Sequence, residues 1–554
     1  MAKILIRGGT VVTMNRKREV LEGADVLIDG RRIAQVIWPG STSPRGPWSK
    51  DFGGTRKGPV SPGGRRDEDG GSRFRSSRER CCPSLTSLSG AEGAATGAGS
   101  GTGGGGDIGA CSAGMDHNGS CGAALGAEVH ELPVGVHRHD VDMVIDAAGK
   151  VVLPGFVQAH VHLCQTLFRG QADDLELLDW LKKRIWPLEG AHDEESVYWS
   201  AMLGIAELIR GGTTSIIDME TVHHTESAFW AIDSSGIRAA SGKVMMDYGS
   251  DVPASLMEST EDSLRESEAL LERWHMHDDG RIRYAFAPRF VVSCSDRLLV
   301  RVRDMARAAG VLVHTHASEN RGEIELVQQD RGMRNVVCLR ELGLVGSNLV
   351  LAHCIWLDDE EMAILRDSGT KVVHCPSSNL KLASGIAKVP EMLEMGVFVS
   401  MGADGAPCNN NLDMFQEMRH AALIQKVRVG PTALPALAVL EMATIGGARA
   451  MGLEDEIGSI EPGKRADIVI LDLDAPHAVP AEGVDVVSRV VYEATASDVE
   501  TTIVDGRVLM YRRKLLAFDE NGLIREATRA LRRVLERSGC LQAATRGGAL
   551  NEKW

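Results

Sequence analysis

The sequence predicts an α/β protein: a (β/α)8 TIM-type barrel carrying a small β-sandwich domain built from both chain termini. Three observations carry that prediction. From His160 to about Leu453, short apolar runs alternate with amphipathic helical stretches; TTSIIDM, IRAASGKVMM, IRYAFAP, LVLAHC and KVVHCPSS are examples. That alternation is the repeat of a parallel barrel. The two ends of the chain instead alternate apolar and polar residues, as half-buried strands do. Histidines and acids cluster at the ends of the apolar runs, and barrel active sites gather at the C-terminal ends of strands.

Taken in order, residues 1–37 read as a β-meander, with ILIRGGTVVTM and ADVLIDGRRIAQVI as strands and Asp29-Gly30 as a hairpin turn. Residues 38–138 lose all apolar periodicity and include GAEGAATGAGSGTGGGGDIGAC. So little side chain cannot offset the entropy of ordering, so this stretch is expected to be a disordered surface insertion without chemistry, or a translated non-coding segment. Residues 139–153 resume as strand, and VVLPGF leads into His160. The barrel is expected over 154–454, with helices such as SVYWSAMLGIAELIRGG and DRLLVRVRDMARAAG closed by glycine. ADIVILDLD, VSRVVYEA and VETTIVDGRVLM return to β-alternation within 455–520 and are expected to pair with the N-terminal strands. Residues 521–554 give a helix from Leu523 to Leu541 and a tail; its apolar face suits a homo-oligomer interface or self-capping.

Composition narrows the functional classes. The 554 residues are 43% hydrophobic and 25% charged, ordinary for a globular enzyme. A formal charge of -15 argues against nucleic acid as a partner, and no apolar run reaches the roughly 20 residues of a membrane span. The N-terminus lacks the apolar core of a signal peptide. Eleven cysteines without a CxxC pair predict reduced thiols, a cytoplasmic location and no zinc-thiolate site. The partner left is a small-molecule substrate.

Five segments read as one metal site: His160-Val161-His162, His316 to Glu319, His353-Cys354, His374 to Asn379, and Gly402 to Gly405. His160 and His162, two apart on a strand, project to one face. His314 and His316 repeat that spacing; His316, nearer the strand end and Glu319, is favoured as the third nitrogen ligand, leaving His314 a structural role. His353 is a fourth ligand or a group holding the bound water. Asp404, flanked by Gly402 and Gly405, can ligate the ion and take a proton from water. His374 is assigned a structural or loop-orienting role. Three histidines and an aspartate suit one divalent ion, zinc or ferrous iron, with a position left for water. A second ion would need a bridging group, for which Lys243 is the only candidate and lies on too early a strand.

The strings PGFVQAHVHLCQTLFRGQADDLELLDWLKKRIWPLE, HTHASEN, AHCIWL, HCPSSNLKLASGIAKVPEM, MGADGAPCNNNLDMFQEMR and GSIEPGKRADIVILD resemble the amidohydrolase superfamily. The likeness is to its branch of S-adenosylhomocysteine, 5'-methylthioadenosine and 5'-deoxyadenosine deaminases and triazine chlorohydrolases, and it covers nearly everything outside 38–138. The resemblance implies a metal-dependent hydrolytic deaminase of an aminated purine nucleoside, with His160, His162, His316 and Asp404 on the metal. It implies that Glu319 and His353 flank the attacking hydroxide, with Glu319 shuttling its proton. Trp180 would pack on the substrate and Glu189 would read a purine edge or ribose. Two positions depart from the thioadenosine-type pattern: Arg289, where some relatives place a histidine, and Lys243, where some place an arginine; both are expected to touch substrate. The PRF-x-x-SCS string around Arg289 also resembles guanine deaminases, which makes guanine the alternative, with triazine or pterin hydrolysis behind it. A non-catalytic homologue would lack ligands, and none is missing here.

Overall fold

Alternation at the N-terminus produces an antiparallel meander in the computed structural model, which describes residues 2–39 and 141–540. The low-complexity stretch expected over 38–138 lies, from residue 40 onward, outside those described residues, as do 541–554 of the expected tail. Strand β1 (Lys3–Val12) pairs with β2 (Val20–Asp29), and β2 with β3 (Arg32–Ile37), turning at Gly30, whose φ of 62° favours glycine. Strands β4 (Met143–Asp146) and β5 (Val151–Pro154) lie parallel to successive halves of β1.

The chain then enters the barrel. Its parallel strands are β6 (Phe156–His162), β7 (Thr213–Met219), β8 (Arg238–Gly242) continued by β9 (Val244–Met245), β10 (Ile282–Pro288) and β11 (Leu312–Ala317). They are followed by β12 (Leu349–His353), β13 (Lys371–His374), and β14 (Phe398–Met401) continued by β15 (Asp404–Gly405). Every residue of β6 and β7 is buried, as strands covered on both faces require. β14 pairs with β13 while β15 pairs with β6, Asp404 opposite Val161, so the last strand closes the ring on the first. Closure depends on Gly402: a Cβ there would lie 2.5 Å from the carbonyl oxygen of His160, so any larger residue would push the seam apart. The expected helices are present as Glu194–Arg210, capped by Asp193, and Asp296–Ala309, capped by Ser295 and ended at Gly310 in the left-handed region.

Strands β16 (Ile468–Leu471), β17 (Val499–Val504), β18 (Arg507–Tyr511) and β19 (Lys514–Leu515) return to the first sheet, β16 pairing with β5. Both termini therefore build one sheet ordered β19-β18-β17-β16-β5-β1-β2-β3, with β4 also on β1. It encloses a cluster that includes Ile4, Val26, Ile145, Val152, Ile468 and Ile503.

VSRVVYEA departs from expectation: Val486–Tyr492 is a helix, not a strand. Asp485 accepts from the backbone N–H of Ser488, and Val487, Val490 and Val491 are buried. That spacing is helical, and the N-cap outweighs the β-propensity of the valines. The terminal helix runs from Glu520 to Arg537, and its buried Leu523, Ala527, Ala530 and Val534 face the chain itself. Three of them join a cluster with Leu167, Phe168 and Leu188, so this apolar face is spent on self-capping. No described helix is long and apolar enough to cross a membrane. The seven described cysteines are buried free thiols.

Candidate metal centre and active site

The C-terminal ends of β6, β11, β12 and β15 bring the predicted residues together. One donor atom from each of His160, His316, His353 and Asp404 lies within 4.8 Å of the others. His160 Nε2 and His162 Nε2 approach Asp404 Oδ1 at 3.2 and 3.3 Å, and His162 Nε2 is 3.3 Å from His316 Nε2. His353 Nε2 stands 3.4 Å from Glu319 Oε2 and 3.7 Å from Asp404 Oδ2. Ser318, His353, Cys354 and Asp404 have φ of 54°, 72°, 48° and 63°. Non-glycine residues in that region are held there by their surroundings and cluster at functional sites.

Each imidazole is fixed by its other nitrogen. His162 Nδ1 donates to the Met219 carbonyl at 2.8 Å and His316 Nδ1 to that of Arg289 at 2.7 Å, which leaves both Nε2 atoms bare and facing inward. His160 Nδ1 lies 2.9 Å from His314 Nε2, so His314 orients a site residue rather than joining the cluster. His353 Nδ1 donates to Asn379 Oδ1 at 2.9 Å, and Ser378 Oγ donates to Asp404 Oδ2 at 2.7 Å. Both partners come from the short helix Pro376–Lys381 that follows His374. His374 itself is buried, with neither ring nitrogen hydrogen-bonded.

Electrostatics separates the roles. Burial depresses His162 to about 4 and holds His316 well below its ordinary value, so both are neutral bases. Burial pushes Asp404 upward, but the nearby imidazoles, His160 first and then His353 and His162, outweigh it and hold the carboxyl well below its usual range. Glu319 is pushed up by burial to about 7, which lets it both hold and release a proton near neutrality.

The donor set fits a divalent cation. His160 Nε2 is buried without a hydrogen-bonding partner, 3.2 Å from a carboxylate oxygen but outside hydrogen-bond geometry. Donor separations of 3.2–3.3 Å among these atoms match the edge of about 3.4 Å of a tetrahedron with bonds near 2.1 Å. Residues 151–509 match the amidohydrolase family. The chain belongs to that family. It is 41% identical over 401 residues to the 5'-deoxyadenosine deaminase of Methanosarcina mazei, covering 72% of this chain and 90% of that protein. It is 44% identical over 376 residues to the 5-methylthioadenosine/S-adenosylhomocysteine deaminase of Syntrophobacter fumaroxidans, covering 68% of this chain and 84% of that one. Among solved structures, an adenosine deaminase from Xanthomonas campestris with bound zinc superposes with a TM-score of 0.74 at 29% identity, over 96% of this chain and 98% of its own.

In this amidohydrolase the space opening onto the donors is about 30 Å³, walled by Leu177, Trp180, Leu181, Gln165, Arg289 and Phe290. It has room for one or two waters. Two of its groups lack partners: the buried indole N–H of Trp180 and the amide oxygen of Gln165. The sequence gives Gln165 no role, although it follows His162 by three residues. Ser378 and Asn379 fall inside the His374 to Asn379 segment, but their individual roles are not legible there because their partners lie on other strands.

Two expectations about substrate contacts change. Lys243 does not line the cavity; its buried ammonium pairs with Glu258 at 2.8 Å and Glu266 at 3.1 Å, because an unpaired cation at that depth would be costly. Glu189 stands behind the wall, accepting from Arg289 at 2.6 and 3.2 Å and from Gln165 at 2.8 Å. Burial pushes its carboxyl upward, but the charge of Arg289 outweighs that and lowers it. Trp180 and Arg289 do reach the cavity.

Proposed function

We propose that this amidohydrolase deaminates the adenine ring of a nucleoside of the 5'-deoxyadenosine, 5'-methylthioadenosine or S-adenosylhomocysteine type, releasing ammonia. The observation that carries the reading is the placement of Glu319, with its carboxyl raised to about 7, beside His353 at the edge of a histidine–aspartate donor cluster. Identity near 40% to relatives bearing those deaminase names over most of their length supports the substrate class.

His160, His162, His316 and Asp404 would hold the ion, with zinc the first choice because three imidazoles and a carboxylate suit it. Such an ion would supply Lewis acidity, lowering the pKa of a water to about 7. Asp404, held ionised, accepts the proton that the water loses as its oxygen attacks C6. His353 donates from Nε2 to the attacking oxygen, its Nδ1 pinned by Asn379. Glu319 delivers a proton to N1; Asp404 then gives its proton to the amine, which leaves as ammonia while the C6 hydroxyl returns a proton to Glu319 and C6 becomes a carbonyl. Trp180 and Gln165 offer an N–H and an oxygen to the base or ribose. Guanine is the second reading. Its support is Arg289, which lines the cavity, yet that guanidinium is already bidentate on Glu189. The buried free thiols support a reducing compartment, the cytoplasm.

The test is ammonia release by metal-analysed protein against 5'-deoxyadenosine, 5'-methylthioadenosine, S-adenosylhomocysteine, adenosine and guanine. Turnover of the adenine nucleosides, lost by 10²-fold or more in E319Q at unchanged metal content, is expected. Turnover of guanine alone would overturn the substrate assignment.

A further inference from the structure

The opposite end of the barrel holds a second cavity, of about 540 Å³. The first residues of successive strands line it, among them Arg283 near the start of β10, Lys371 of β13 and Phe398 of β14. Arg449 and Glu454, from the segment after β15, complete that wall. The metal donors sit at the other ends of these strands, so this cavity is no part of the active site.

Its charge is unusual for this chain. Three cations, Arg283, Lys371 and Arg449, line it with a single carboxylate, Glu454, in a protein whose formal charge is -15. Lys371 is only 9% exposed, and its Nζ donates to the carbonyl of Ala450 at 3.3 Å. Arg283 Nε donates to the carbonyl of Gly280 at 3.3 Å, and the Arg449 guanidinium lies 5.5 Å from the centre of the Phe398 ring. Among the described residues none of the three has a carboxylate within 4.0 Å. Elsewhere the fold neutralises its buried arginines: Arg238 with Asp467 at 2.7 Å, Arg281 with Asp278 at 2.7 Å, Arg289 with Glu189 at 2.6 Å. Lys371 is the buried member of the three, Arg283 being half-buried and Arg449 exposed. An ammonium at that depth with no carboxylate in contact is costly, and an anion in the cavity reduces the cost. Burial draws the Lys371 pKa down and Arg449 adds to that, against the pull of Glu454.

We propose that this cavity binds a small molecule bearing a phosphate dianion. Lys371 acts as the point-charge anchor, and Arg283 and Arg449 present forked donors to its oxygens. The space exceeds what a bare phosphate fills, and Phe398, Tyr284 and Met451 give it an apolar wall for the organic part.

Calorimetric titration of the full, metal-loaded chain with inorganic phosphate and with glycerol 3-phosphate tests this. One saturable site per chain is expected, with affinity at least tenfold weaker in K371M and in R449Q, unchanged in K17Q, and indifferent to an occupied active site. K371M should also melt higher than the parent without phosphate and gain nothing on adding it. Absence of saturable binding of both probes, binding that survives K371M and R449Q, or binding displaced by substrate would overturn the proposal.

Discussion

Replacing Arg289 with methionine isolates the buried ion pair behind the active-site wall. The two side chains are 6% and 2% exposed, and the shortest contact is 2.6 Å. At an effective dielectric near 20 their attraction is about 6 kcal/mol, against which the desolvation of both ions must be set. R289M deletes one partner and strands Glu189, with only Gln165 still donating to it. That should cost about 3–5 kcal/mol of folding stability. E189Q/R289M removes the stranded charge, so the double variant should be more stable than R289M alone. The Arg289 carbonyl that receives His316 Nδ1 is backbone and survives the change, so metal content should not move. Denaturant unfolding of the parent, both single variants and the double variant gives the cycle. Additive effects, or an R289M cost below about 1 kcal/mol, would refute the view that the pair is a coupled, desolvated unit.

Other outcomes follow from the same geometry. N379L frees His353 Nδ1 and should lower kcat by about 10–100-fold at unchanged metal content; activity within twofold of the parent would deny Asn379 its positioning role. Glu417, buried beneath the Pro376–Lys381 helix, is pushed by burial from 4.5 to about 7. The folded state then holds a proton that the unfolded state releases, so this group makes stability fall between pH 4.5 and 7, by about 3 kcal/mol in total. E417Q should flatten that slope and gain on the parent as pH rises, as unfolding midpoints at pH 5 and pH 8 would show. Stripping the metal with a chelator should lower the melting temperature, and zinc added to 100 times its Kd should restore about 2.7 kcal/mol; an unmoved melting temperature would argue against the donor cluster as a metal site. Because the cavity of about 30 Å³ is too small for a purine, substrate should alter hydrogen exchange in the Leu177–Ile185 segment; unchanged exchange under saturating substrate would contradict this.

Much of this protein is legible in one dimension because its signals are local. Strand periodicity marks the barrel runs and the terminal sheet, and the spacing of His160 and His162, or of His314 and His316, says which side chains share a face. Where local signals compete, reading fails: the valines of Val486–Tyr492 favour a strand, and only an N-cap and a packing face make them helical. Side-chain partnership is the other limit. Asn379 serves His353 and Ser378 serves Asp404 across separate strands, while Lys243 spends its charge on Glu258 and Glu266. The sequence by itself determined the strand ends and the chemical types that meet there, because both follow from spacing along a strand. Only the tertiary structure decided which charges neutralise each other and which, as at Lys371, have no carboxylate in contact, because that depends on distances between segments that the chain order does not encode.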